Sequence, residues 1–166
     1  MKTGTLYGIG IGPGDPELLT IKAIRRIREC SVIAVPGKIP QESVAYRIAV
    51  QAVPELEEKR LVAVHMPMTK DRTVLDACFQ AAADALEPYL QAGEDVGFLT
   101  LGDVTIYSTY LYIHRLLAAR GYDTAMVSGI PSFCAAAARL NMGLAEGAEE
   151  IHIIPATYQV EDSLGL

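Results

Sequence analysis

Gly8-Ile9-Gly10-Ile11-Gly12-Pro13-Gly14-Asp15-Pro16, the stretch GIGIGPGDP, follows a short apolar segment that begins at Thr5. Thr5 to Gly10 carries β-branched and aromatic residues in partial alternation, which reads as a buried strand. The glycines at alternate positions then end that strand in a loop whose backbone can approach a partner closely. Asp15-Pro16 supplies an N-cap and a proline suited to the first helical position. Beyond it, Ile21, Ile24 and Ile27 recur on one helical face. A strand, a glycine loop and a helix in that order open an α/β fold.

The loop does not have the chemistry of a phosphate clamp. The dinucleotide spacing G-x-G-x-x-G fails in each register, ending on Pro13, Asp15 or Glu17. The next apolar run, Ser31 to Val35, is followed by Pro36, Gly37 and Lys38 rather than by the acid that would reach a ribose hydroxyl. No Gly-Lys-Ser/Thr triplet is present, and Asp15 would place a negative charge in any phosphate cradle.

Outward from the loop, strand and helix patterns alternate to the end of the chain. Further strands are expected at Ser31–Val35, Leu61–Val64, Val96–Leu101, Thr124–Val127 and Ile151–Ile154. Helices are expected at Val44–Ala52, Thr73–Gln91 (ended or kinked by Pro88), Tyr107–Arg120 and Ser132–Leu140. Strands that are apolar on both faces call for a parallel sheet with helices on both faces, and ligands gather at the carboxyl ends of such strands. The expected division is a first α/β domain over residues 1–123 and the start of a second α/β domain over 124–166.

Composition narrows the function. The 166 residues are 51% hydrophobic and 20% charged, with a net charge of -6, so a packed core is expected and a nucleic-acid face is not. No apolar run reaches the ~18 residues of a spanning helix, and the N-terminus lacks the pattern of a secretory signal. Three cysteines without a C-x-x-C pair fit reduced thiols buried in a cytoplasmic protein. His65, His114 and His152 stand apart, so no metal site is expected.

Four stretches together resemble one family. Gly10-Ile11-Gly12-Pro13-Gly14-Asp15-Pro16-Glu17-Leu18-Leu19-Thr20 is similar to the opening motif of the tetrapyrrole methylases, which use S-adenosylmethionine. Leu99-Thr100-Leu101-Gly102-Asp103-Val104-Thr105-Ile106-Tyr107-Ser108-Thr109-Tyr110 resembles their second motif, with Val104 in place of the usual proline. Met66-Pro67-Met68-Thr69-Lys70-Asp71 and Ser128-Gly129-Ile130-Pro131-Ser132-Phe133 resemble the branch that methylates precorrin-2 or cobalt-precorrin-2 at C20 in corrin synthesis.

The resemblance implies an S-adenosylmethionine site made by Pro13, Leu101, Gly102, Asp103, Ile106 and Tyr107, with Pro131 and Ser132 from the second domain. Asp103 would serve either the amino-acid end of the cofactor or its own turn. Gly12, Gly14, Asp15, Lys38 and Lys70 would face the substrate, the lysines meeting its carboxylate arms, with Arg47 and Arg72 as further candidates. No general base is identified. A homodimer through the region of Tyr107 to Leu117 is implied as well. Family members are longer than this chain. The expectation is therefore that the 166 residues alone bind S-adenosylhomocysteine weakly and transfer no methyl group. A non-catalytic tetrapyrrole-binding homologue, or a methylase with another substrate, stands as the alternative.

Overall fold

The computed structural model describes residues 2–155. Contacts divide the chain into two compact units, Met1–Ser132 and Phe133–Leu166. The first unit holds β1 (Thr5–Gly10), α1 (Ile21–Glu29), β2 (Val32–Pro36), α2 (Val44–Ala52), β3 (Arg60–Val64), α3 (Arg72–Gln91), β4 (Val96–Thr100), α4 (Tyr110–Ala119) and β5 (Asp123–Val127). The five strands form one sheet in the order β3-β2-β4-β1-β5, and every pairing is parallel.

The expected parallel sheet is therefore present, and its two faces are covered as the two-sided apolar strands require. On one face Ile9, Ile33, Val35, Leu99 and Val127 pack with α1 through Ala23 and Ile27, and with α2 through Ala45, Ile48 and Ala49. On the other, Leu6, Val32, Ala34, Val96 and Phe98 pack with α3 through Ala82, Ala83, Leu86 and Leu90, and with α4 through Tyr110, Ile113 and Leu117. Central β4 is buried along its whole length.

Tyr110 explains why β1 carries Gly8 in a central strand. A Cβ at Gly8 would lie 2.5 Å from the Tyr110 ring. The phenol hydroxyl donates to Ala125 O at 2.7 Å, with Leu6 O at 3.2 Å, so one helix side chain ties β1 to β5. Burial pushes this phenol up to about 12. A tyrosine whose folded pKa lies above its unfolded value contributes fully below pH ~10 and loses that contribution as pH rises toward the folded value. Tyr110→Phe is expected to cost about 1 kcal/mol at neutral pH. It should also flatten the fall in stability of the parent protein above pH ~10, as urea unfolding at both pH values would show.

Several element ends differ from the sequence reading. Asp15 caps only a single turn, Pro16–Leu18, and α1 starts at Ile21 because Thr20 takes over as N-cap, accepting from Ala23 N at 3.1 Å. Helix α3 runs past Pro88, whose carbonyl still accepts from Ala92 N at 3.1 Å. In the last turn a proline removes only one helical hydrogen bond. Helix α4 begins at Tyr110 rather than Tyr107, since Tyr107 has a left-handed φ of 49° that no right-handed helix admits.

The expected domain boundary before Thr124 is corrected by the pairing of β5. Thr5 to Ile9 are in register with Asp123 to Val127, so this strand completes the first sheet and the first unit extends to Ser132. In the second unit, helix α5 (Ser132–Arg139) leads into Leu140, Met142 and Leu144, all exposed. The strand expected at Ile151–Ile154 is not formed. A strand needs a hydrogen-bonding neighbour, and the described residues of this unit contain no other strand. Of the cysteines only Cys30 is buried; Cys78 is half-buried and Cys134 exposed, which corrects the expectation of three buried thiols.

Candidate functional site

The carboxyl ends of β1, β4 and β5 come together through their backbones. Ile11 N donates to Thr100 O at 3.0 Å, Gly12 N to Gly102 O at 3.2 Å, and Gly102 N to Gly12 O at 2.8 Å. The motif loop after β1 and the Gly-Asp loop after β4 are thus one hydrogen-bonded structure. A Cβ at Gly129 would lie 2.1 Å from Gly102 O, and one at Gly10 would lie 2.6 Å from Gly129 N. Neither position has room for any other residue, so Gly10, Gly102 and Gly129 form a seam of main chain.

Asp103 fastens this seam from below. Its Oδ2 accepts from Gly129 N at 2.9 Å, while Oδ1 accepts from Thr105 N at 2.8 Å and from the Thr105 hydroxyl. Desolvation pushes its carboxyl up, but these hydrogen bonds together outweigh that and hold it below the usual carboxylate range. Both oxygens are engaged inside the protein, on the turn and on β5. Val104, where the family motif has proline, is fully buried in the α3/α4 core.

Beside the seam lies a cleft of about 350 Å³ between β2 and β4. Its walls include Pro36, Val44, Phe98, Leu101, Ile106 and Tyr107, and its floor carries Thr100 and Ser108. The strand order places it there. The connection leaving β2 goes outward to β3, whereas that leaving β4 crosses β1 to reach β5. Neighbouring strands whose connections diverge leave a crevice at their carboxyl ends. Tyr107 enters this cleft from its left-handed backbone, a conformation that costs ~1–2 kcal/mol for a side-chain-bearing residue and that concentrates at functional sites.

The expected site residues separate into groups. Leu101, Ile106 and Tyr107 line the cleft. Gly12, Gly102 and Asp103 build the seam. Pro131 stands next to it, its Cα 3.8 Å from where a Gly102 Cβ would be. Pro13 is half-buried and Gly14 exposed in the β1 loop, and Ser132 is exposed at the start of α5. Asp15 accepts from Glu17 N at 2.9 Å, so its carboxylate serves its own turn. Lys38 and Lys70 are exposed on the loops after β2 and β3 and do not line the cleft. Sequence reasoning gave no role to Thr100, although it stands in the second motif, and missed Val44 and Phe98. These two lie in helical or apolar runs that read as core, and only the adjacency of β2 and β4 brings them to one crevice. Among the described residues no group of His, Cys, Asp and Glu is placed to hold a metal ion.

Comparison with known proteins matches residues 5–165 to the family described as Tetrapyrrole (Corrin/Porphyrin) Methylases. A Methanocaldococcus jannaschii protein named "Probable cobalt-precorrin-2 C(20)-methyltransferase" is 38% identical over 157 residues, covering 94% of this chain and 66% of that protein. The cobalt-precorrin-2 C(20)-methyltransferase of Salmonella typhimurium is 33% identical over 155 residues, covering 93% of this chain and 64% of that one. The X-ray structure of a cobalt precorrin-4 methyltransferase superposes with a TM-score of 0.68 at 21% identity, over 96% of this chain and 64% of its own, and shares the fold. The chain thus spans about two thirds of the length of these two relatives.

Proposed function

Since this chain belongs to the tetrapyrrole methylase family, we propose that it serves S-adenosylmethionine-dependent methylation of precorrin-2 or cobalt-precorrin-2 at C20, in cobalamin biosynthesis. The observation that carries this reading is the joining of the β1 and β4 motif loops into one backbone seam beside an apolar cleft. The relatives named for this reaction cover both loops.

The residues fit a methyl donor held through main-chain groups. Gly102 has a left-handed φ of 67°, and a Cβ built there meets nothing closer than 3.8 Å, so an open backbone surface faces outward at the seam. In this reading Pro13, Leu101, Gly102, Ile106, Tyr107, Pro131 and Ser132 hold the cofactor, and Asp103 keeps Gly102 and Gly129 in place. S-adenosylmethionine supplies an electrophilic methyl group on a cationic sulfur. The chain supplies orientation and dryness. Holding two reactants in line can contribute ~7–11 kcal/mol, and the cleft lining carries no ionised side chain. Gly12, Gly14 and Asp15 form the substrate side of the β1 loop, with Lys38 and Lys70 on neighbouring loops toward the carboxylate arms.

The same reading includes a cytoplasmic homodimer. Support for the dimer is the outer face of α3 and α4, where Phe79 and Tyr112 stack with ring centroids 4.3 Å apart beside a groove of about 320 Å³. Tyr110, Ile113 and Leu117 of the same helix are buried in the core and do not contribute. Sedimentation is expected to give a dimer at micromolar concentration; a monomer would remove this part.

The functional test is a graft. Residues 5–132 of this chain replace the matching residues of the Methanocaldococcus jannaschii relative, and the folded product is supplied with S-adenosylmethionine and precorrin-2, with and without cobalt. Mass spectrometry is expected to show one added methyl group on the tetrapyrrole. A folded graft that methylates neither form, beside an active parent, would contradict the reading.

A further inference from the structure

The floor of the cleft holds two hydroxyls with a proton to spare. Thr100 and Ser108 are 8% and 4% exposed, and their oxygens stand 3.4 Å apart. Ser108 Oγ also accepts from Tyr110 N at 3.1 Å. Two hydroxyls own two protons, and their mutual bond uses one, whichever of them donates. Among the described residues neither hydroxyl donates a further hydrogen bond. At 3.4 Å even the mutual bond is longer than the ~2.7–2.8 Å usual for hydroxyl pairs. The surplus donor is buried, and such a group is normally satisfied. Since both residues line the cleft, its partner must enter from there.

The ligand atom is then an oxygen or nitrogen acceptor attached to a largely apolar body, since Val44, Phe98, Leu101 and Ile106 form the walls. Helix α4 begins at Tyr110, so the positive end of its dipole faces the same floor, which favours an anionic acceptor over a neutral one. We propose that Thr100 and Ser108 form a subsite for one carboxylate arm of the tetrapyrrole, with the arm's oxygen accepting the spare hydroxyl proton. This subsite rests on the tetrapyrrole reading above. It makes Thr100 a substrate-specificity residue at the end of β4, distinct from the exposed lysines on the loops.

The probe is uroporphyrin III, a stable tetrapyrrole with a carboxylate on every arm, titrated by its fluorescence against the full chain. Thr100→Val is combined with Ser108→Ala to remove both hydroxyls, because either one left alone would keep its own proton free to donate. The pair is expected to weaken uroporphyrin binding roughly tenfold, as the loss of one hydrogen bond to a charged group implies. Thr100→Ser keeps the hydroxyl and is expected to bind within about twofold of the parent, on the same reasoning. Each single variant, Thr100→Val or Ser108→Ala, keeps one donor and is expected to lose less than the pair. Thermal unfolding of each variant separates a lost contact from a lost fold. Unchanged affinity in the folded double variant would overturn the subsite alone and leave the tetrapyrrole reading in place. A parent protein that binds no uroporphyrin would overturn both.

Discussion

Gly129→Ala is expected to destabilise the protein by about 3 kcal/mol, at the upper end of what overpacking usually costs. The added Cβ would lie 2.1 Å from Gly102 O and 2.8 Å from Gly10 C, both main-chain atoms that cannot rotate away. Relief requires the β5 end to lift from the seam, which also lengthens the 2.9 Å bond from Gly129 N to Asp103. For a chain of this size the melting temperature should fall by roughly 6–12 °C. Gly143→Ala is the control, because its Cβ meets nothing closer than 3.8 Å. Surface changes of that kind stay within about 0.5 kcal/mol. Circular dichroism melts of the two variants check the contrast, and equal melts would remove the close-approach argument.

Asp103→Ala is expected to cost about 3 kcal/mol, because it leaves two main-chain N–H groups, those of Thr105 and Gly129, without their carboxylate. Asp103→Asn should do less harm: an amide oxygen still accepts from Thr105, but an amide nitrogen meets Gly129 N as donor against donor. The pH dependence follows from the sign of the shift. The folded carboxyl lies below its usual range because its hydrogen bonds outweigh the desolvation that pushes it up. Its contribution is therefore fully present above the unfolded value near pH ~3.9 and is lost as pH falls below it toward the folded one. The stability gap between parent and Asp103→Asn should be constant from neutral pH down to about pH 5 and shrink below about pH 4. Urea unfolding across that interval would show it. A gap that widens toward acid would mean the carboxylate is not the stabilising form.

These variants also mark what was legible in the amino-acid order. The parallel α/β architecture followed from strands apolar on both faces, and a helix containing Val44–Ala52 was expected, where α2 lies between Pro40 and Pro54. Helix starts were harder. Asp15-Pro16 looks like a helix entry, yet Thr20 competes for the same role and wins, since its hydroxyl caps the turn that buries Ala23 and Ile27. The placement of β5 was not legible at all. Nothing local says that Asp123–Val127 will add to the edge beside β1, and that choice is made by pairing and by the Tyr110 hydroxyl reaching Ala125.

The site was half legible for the same reason. The motifs pointed to the loops after β1 and β4, and these are bonded to one another. They did not show that Asp103 faces inward to Gly129, nor that β2 lies beside β4 and contributes Pro36 and the start of α2 to the cleft. Sequence separations of tens of residues meet there, and only strand order brings them together.

The central claim is that the seam of Gly10, Gly102 and Gly129, with the cleft wall beside it, carries the methyl donor while Thr100 and Ser108 at the cleft floor take one carboxylate arm of the tetrapyrrole. A crystal structure of this chain with saturating S-adenosylhomocysteine and uroporphyrin III tests both halves at once, even at weak affinity. The expected result is S-adenosylhomocysteine against the main chain of Leu101 and Gly102 beside Pro13, with a porphyrin carboxylate on Thr100 and Ser108. Density for either molecule only at the opposite end of the sheet, in the charged depression lined by Arg28, Lys59 and Arg60, would contradict the account.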